Sequence, residues 1–112
     1  MPIVRVSLDR VTDWDSFHTR FAEALGFPDF YGRNMNAWVD CLTSADHPED
    51  GMTTVVAGEG DVVTLLLDGV AEFASRCPEL YEALIQNAAF VNWRRVKMGE
   101  RPILALAFHY DK

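Results

Sequence analysis

Apolar and polar positions alternate in two distinct periods along this chain, and each change of period predicts an element. Ile3, Val4, Val6 and Leu8 form a short apolar run, so residues 2–8 read as a strand. Residues 9–12 read as a turn. Trp14, Phe17, Phe21, Ala24 and Leu25 then recur every three or four residues, which predicts one apolar face of a helix. Thr12 or Asp13 is the expected N-cap, Asp13 and Asp15 suit the positive helix end, and Gly26 is the expected stop. On this reading Trp14, Phe17, Phe21 and Trp38 are core, and His18 lies on the helix surface.

After a turn at Pro28–Gly32, Asn34 is placed to cap a second helix over about 35–43. Its buried stripe is Met35, Trp38, Val39 and Leu42, at i, i+3, i+4 and i+7. Residues 44–61 carry Gly, Pro, Asp and Thr and read as a loop long enough to suggest function, with a short extended piece over 52–57. Residues 62–67 form a continuous apolar run, the pattern of a strand buried on both faces. Residues 70–77 read as a short helix. Pro78 suits the first turn of another, reaching the low nineties with Leu80, Leu84, Ile85, Ala88 and Val91 inward. Residues 103–110 read as the last strand. Strands separated by helices imply parallel pairing through right-handed crossovers. The expected fold is α/β, a three-stranded parallel sheet packed with about four helices, as a single domain over 1–112.

Composition agrees with a folded chain and narrows the partners. In 112 residues, 49% are hydrophobic and 12% aromatic, enough for a core without metals or disulfides. The net charge is −7, the reverse of the basic footprint of a nucleic-acid binder. It favours a basic partner met by fast, salt-sensitive encounter, although solubility alone also explains an acidic balance. The charge is uneven: six acids and no Lys or Arg between Asp40 and Asp61, against five bases and two acids from Arg94 to Lys112. Neither a signal peptide nor a run of membrane-spanning length is evident, so the expected compartment is the cytoplasm and no membrane partner is expected.

Catalytic chemistry finds little support. His18, His47 and His109 have no metal-ligand spacing, and His47, within Asp46–Asp50, reads as an adventitious loop histidine. Cys41 and Cys77 form neither a CxxC nor a zinc pattern and read as buried free thiols. Nucleophile-elbow, metalloprotease and phosphate-loop signatures are absent from the sequence. The expectation is no enzyme, no cofactor and no metal site. Phe30 and Tyr31 are different, since a turn beside a helix start has no need of large aromatics. Either both cover one edge of the core, or they anchor a partner, with Tyr31 able to pack its ring and bond its hydroxyl. Asn36 and Asp40, four apart, share the helix's polar face. Arg33 is expected near that face, paired with Asp40 or Asn36.

The segment Pro28-x-Phe30-Tyr31-Gly32-x-Asn34-x-Asn36-Ala37-x-x-Asp40-Cys41-Leu42-Thr43 resembles the signature of the barstar family, intracellular inhibitors of barnase-type ribonucleases. Beyond it, the resemblance rests on element order and implies a barstar-like fold. In that family the turn and second helix plug the ribonuclease active site, with helix carboxylates standing where substrate phosphates would sit. The resemblance implies a partner-binding face of Phe30, Tyr31, Gly32, Asn34, Asn36, Val39, Asp40 and Ser44, with Asp40 the principal anion. It implies a one-to-one complex with a basic ribonuclease toxin and an immunity role. Two departures stand out: Asn36 replaces a carboxylate, and the tryptophan comes one position early, as Trp38. A further acid from the last helix has only Glu79 and Glu82 as candidates, by composition. The rival readings are a barstar-fold interaction module for a non-nuclease partner, and a small hydrolase using Cys41 or a metal at His47.

Overall fold

The computed structural model describes residues 1–109. It contains β1 (Ile3–Ser7), α1 (Trp14–Leu25), α2 (Met35–Thr43), a 3-10 turn (Pro48–Asp50), β2 (Val63–Asp68), α3 (Val70–Arg76), α4 (Pro78–Lys97) and β3 (Leu104–His109). The strands form one parallel sheet in the order β1-β2-β3, as the element order requires. Val4, Leu65 and Leu106 share one cross-strand row, and Val6, Leu67 and Phe108 the next. The expected continuation of the last strand to Tyr110 lies outside the described residues.

β2 departs from the expectation of burial on both faces. Val63, Leu65 and Leu67 are buried, whereas Thr64, Leu66 and Asp68 between them are only partly covered. The second sheet face also carries Ile3, Arg5, Ala105 and Ala107, none of them fully buried. Helix packing therefore seals one side, and the apolar run on β2 serves a half-open sheet.

α1 starts as its sequence dictates. The Asp13 carboxylate accepts from Ser16 N at 2.8 Å, and Ser16 Oγ returns a bond from Asp13 N at 3.1 Å, a reciprocal capping box. Gly26 closes the helix at φ 64° and packs so tightly on Thr54 that a Cβ there would collide with its side chain. Phe17, Phe21 and Leu25 are buried, and so is His18, contrary to its expected place on the surface. Trp14 is the reverse case, 39% exposed and stacked on the His18 ring. The core stripe of α1 thus keeps Phe17, Phe21 and Leu25 and takes in His18, which has a polar partner inside, with Trp14 left at its exposed edge.

Residues 52–57 form no strand. They are tied instead by Thr54 N to the Leu25 carbonyl and by Ala57 N to the Ala45 carbonyl, both at 3.0 Å. α4 is longer than its sequence pattern suggested. It buries Leu80, Leu84, Ala88, Val91 and Arg95. Arg95 donates to both carboxylate oxygens of Asp46 at 2.9 Å and to the carbonyls of Thr43 and Arg101 at 2.9 and 2.7 Å. One buried guanidinium therefore fastens the end of α2 and the start of the long loop to α4.

Candidate partner-binding site

Backbone geometry builds the site around α2. Asn34 has extended dihedrals, and its Oδ1 accepts from Ala37 N at 2.8 Å, the N-cap expected from sequence. Gly32 precedes it, and a Cβ there would come within 3.3 Å of the Asn34 amide. The glycine thus leaves room for the capping side chain. Met35 is half-buried, while Trp38, Val39, Cys41 and Leu42 are buried, so α2 turns Asn36 and Asp40 outward. Among the described residues, Trp38 Nε1 is the one buried side-chain polar atom without a hydrogen-bond partner. Its indole meets Phe21 edge-on at 5.7 Å.

The two aromatics of the turn divide between the alternatives open to them. Phe30 is 76% exposed and free of the core. Tyr31 is buried, with its ring against Phe27 and its hydroxyl 2.6 Å from His18 Nδ1. Burial pushes the Tyr31 phenol above its ordinary range, and burial followed by the nearby Arg33 charge pulls His18 down. Tyr31 therefore pins the turn to α1, leaving Phe30 as the aromatic offered to solvent.

Arg33 does not pair with Asp40 or Asn36. It takes a left-handed backbone, φ 54°, and its guanidinium reaches α1. There it donates to the Asp15 carbonyl, the Asp15 carboxylate and Thr19 Oγ1, each at 2.8 Å. Asp40 finds a different cation: Arg94 Nη1 of α4 donates to Asp40 Oδ1 at 2.8 Å. Where the resemblance suggested an acid from the last helix, α4 meets Asp40 with a base.

Of the residues expected on the face, Phe30, Gly32, Asn34, Asn36 and Asp40 are exposed on the turn and α2, and Ser44 is half-buried at the C-cap of α2. Val39 is 3% exposed within the core. Its side chain is turned into the core while α2 is packed, on the same helical stripe as Met35. Sequence reasoning missed Arg94, Phe90 and Trp93. The latter two lie off the Leu84–Ala88–Val91 stripe, and a helical wheel drawn through Lys97 would have placed them outside.

Other potential centres are weaker. Cys41 is buried, and burial followed by the Asp40 charge pushes its thiol up to about 11, the opposite of nucleophile activation. Asp46, His47 and Glu100 bring ligand atoms within 4.8 Å of one another, a grouping invisible in their spacing. Arg95 already pairs with Asp46 and stands 3.8 Å from Glu100, so a fixed cation occupies the electrostatic role of a metal there.

On a three-stranded parallel α/β sheet, the Asn34-capped α2 thus turns an amide and a carboxylate outward near the exposed Phe30. The sequence profile described as Barstar (barnase inhibitor) matches residues 1–97, and the chain belongs to that family. No curated protein matches the chain significantly. No helix among the described residues is long and apolar enough to cross a membrane.

Proposed function

We propose that this chain is an intracellular inhibitor that binds a basic barnase-type ribonuclease toxin one to one and blocks its active site. It works through the turn and α2. The supporting observation is the pairing of an exposed Phe30 with an outward Asp40 on an Asn34-capped helix, in a member of a family described as barnase inhibitors. Phe30 fills an apolar recess at the mouth of the ribonuclease cleft. Asp40 replaces a substrate phosphate before the cleft's basic residues. Gly32 and Asn34 set the approach of the backbone, Tyr31 holds the turn, and Asn36 and Ser44 complete the polar contacts. The chain has no chemistry of its own in this reading.

Binding of catalytically inactive barnase-type ribonucleases to immobilised wild type, Phe30→Ala and Asp40→Ala tests the face. Each substitution is expected to weaken binding about tenfold or more, since aromatic anchors and desolvated charges dominate such interfaces. A ribonuclease held equally well by both variants would remove the assignment.

A specific observation favours one other reading. Asn36 carries no charge, and Asp40 is already engaged by Arg94. A face of that kind also suits a non-nuclease partner recognised through a barstar-fold interaction module. Capture of a non-nuclease protein that is lost in both variants would select it.

A further inference from the structure

α4 carries an aromatic surface that the core does not use. Phe90 is 45% and Trp93 55% exposed. Their rings stack at 5.6 Å between centroids, and Lys97 Nζ stands 4.8 Å over the Trp93 ring. Phe90, Arg94 and Lys97 follow at i, i+4 and i+7, so they share one stripe of the helix. That stripe meets α2 at the Asp40–Arg94 pair. The aromatic surface is therefore continuous with the polar face of α2.

Its charge is unlike the rest of the chain. The overall balance is −7, yet this stripe carries Arg94 and Lys97 and no acid. A uniformly basic surface would be repelled there. A complementary one is apolar, to cover Phe90 and Trp93, and bears a carboxylate for the cations. Asp40 Oδ1 already accepts from Arg94, so a partner base that takes that oxygen displaces the guanidinium. A carboxylate on the partner offsets that loss by taking the released guanidinium.

We propose that the α4 stripe is the second half of the docking face, and that its occupant is an apolar, carboxylate-bearing wall beside the basic cleft of the same ribonuclease. On binding, one internal ion pair is exchanged for two across the interface, Asp40 to a partner base and Arg94 to a partner acid. The inference rests on Asp40 as a contact with a ribonuclease.

The probe is a panel of catalytically inactive barnase-type ribonucleases, including any encoded beside this chain, and the readout is the dissociation constant by calorimetry. Wild type is compared with Phe90→Ser/Trp93→Ser, Arg94→Ala and Asp40→Ala, each checked for native circular dichroism. The substituted side chains on α4 are exposed or half-exposed, so folding is expected to survive. The aromatic double variant is expected to weaken binding by about tenfold to a hundredfold. Arg94→Ala is expected to weaken it as well, although it frees Asp40. Unchanged binding by the aromatic variant, or tighter binding by Arg94→Ala, overturns the inference while leaving the α2 face in place. Tighter binding would mean that Arg94 merely competes for Asp40. Absence of binding across the panel removes the ribonuclease reading and this inference with it. Loss in the α4 variants with none in Asp40→Ala overturns the ion-pair exchange and moves the interface to α4.

Discussion

His18 lies beneath the Pro28–Gly32 turn, with its Nδ1 2.6 Å from the Tyr31 hydroxyl and its ring stacked on Trp14. Burial holds its pKa below the ordinary 6.5, so the unfolded chain binds the extra proton more readily. The stability this neutral histidine contributes is present above pH 6.5 and is lost as pH falls toward its folded value. His47 acts in the opposite sense. Its ring, 3.1 Å from Glu49 and 3.5 Å from Asp46, has a raised pKa. Its contribution is present below pH 6.5 and disappears as pH rises through the folded value. In a His47→Gln background, chemical denaturation is therefore expected to show lower stability at pH 5.5 than at pH 7.5, with the His18 ring mostly neutral by NMR at pH 6.5. A charged His18 ring at pH 6.5 in the folded protein would contradict this. Arg95 is the other buried polar residue, 4% exposed. Arg95→Met strips the partner from Asp46 and from two carbonyls. Because Asp46 keeps some water, the expected loss is near the low end for a broken buried pair, about 3 kcal/mol, read from urea midpoints.

At the scale of elements, α2 depends on its cap more than on its length. It has nine residues, too few to persist alone in water. Asn34→Ala removes the bond to Ala37 N and is expected to cost about 1 kcal/mol of stability. It should also weaken partner binding beyond the stability change, because the first turn of α2 presents Asn36. Capping residues were legible in the sequence because Asp13, Gly26 and Asn34 act on backbone within three or four positions of themselves. The parallel sheet was legible because helices separate every pair of strands. The rest depended on contacts distant in sequence. His18 looked like a surface residue until Tyr31 was folded over it, and Arg33 turned to α1 through a left-handed backbone that an arginine seldom adopts. Arg94 met Asp40 across 54 positions, a distance no local pattern spans. Val39 was expected both on the buried stripe of α2 and on the partner face, and its helical phase puts it in the core.

For the whole molecule, charge and fold divide the work. The core cluster sets the sheet against the helices, and the outward face of α2 continues into the exposed stripe of α4. The acids that follow Asp40, from Asp46 to Asp61, lie between α2 and β2 on a segment fixed at Asp46 by Arg95, close to the end of α2. Their field would draw a basic partner toward that face, so the association rate is expected to fall steeply with added salt while the dissociation rate changes little. Stopped-flow measurements at increasing ionic strength read this directly. The most direct test of the central claim is a titration of the chain into an active barnase-type ribonuclease with an RNA substrate. The account predicts a linear loss of activity ending at one equivalent of wild type, with Asp40→Ala needing a clear excess. Full ribonuclease activity at a large excess of the wild-type chain, across the enzymes tried, would contradict it.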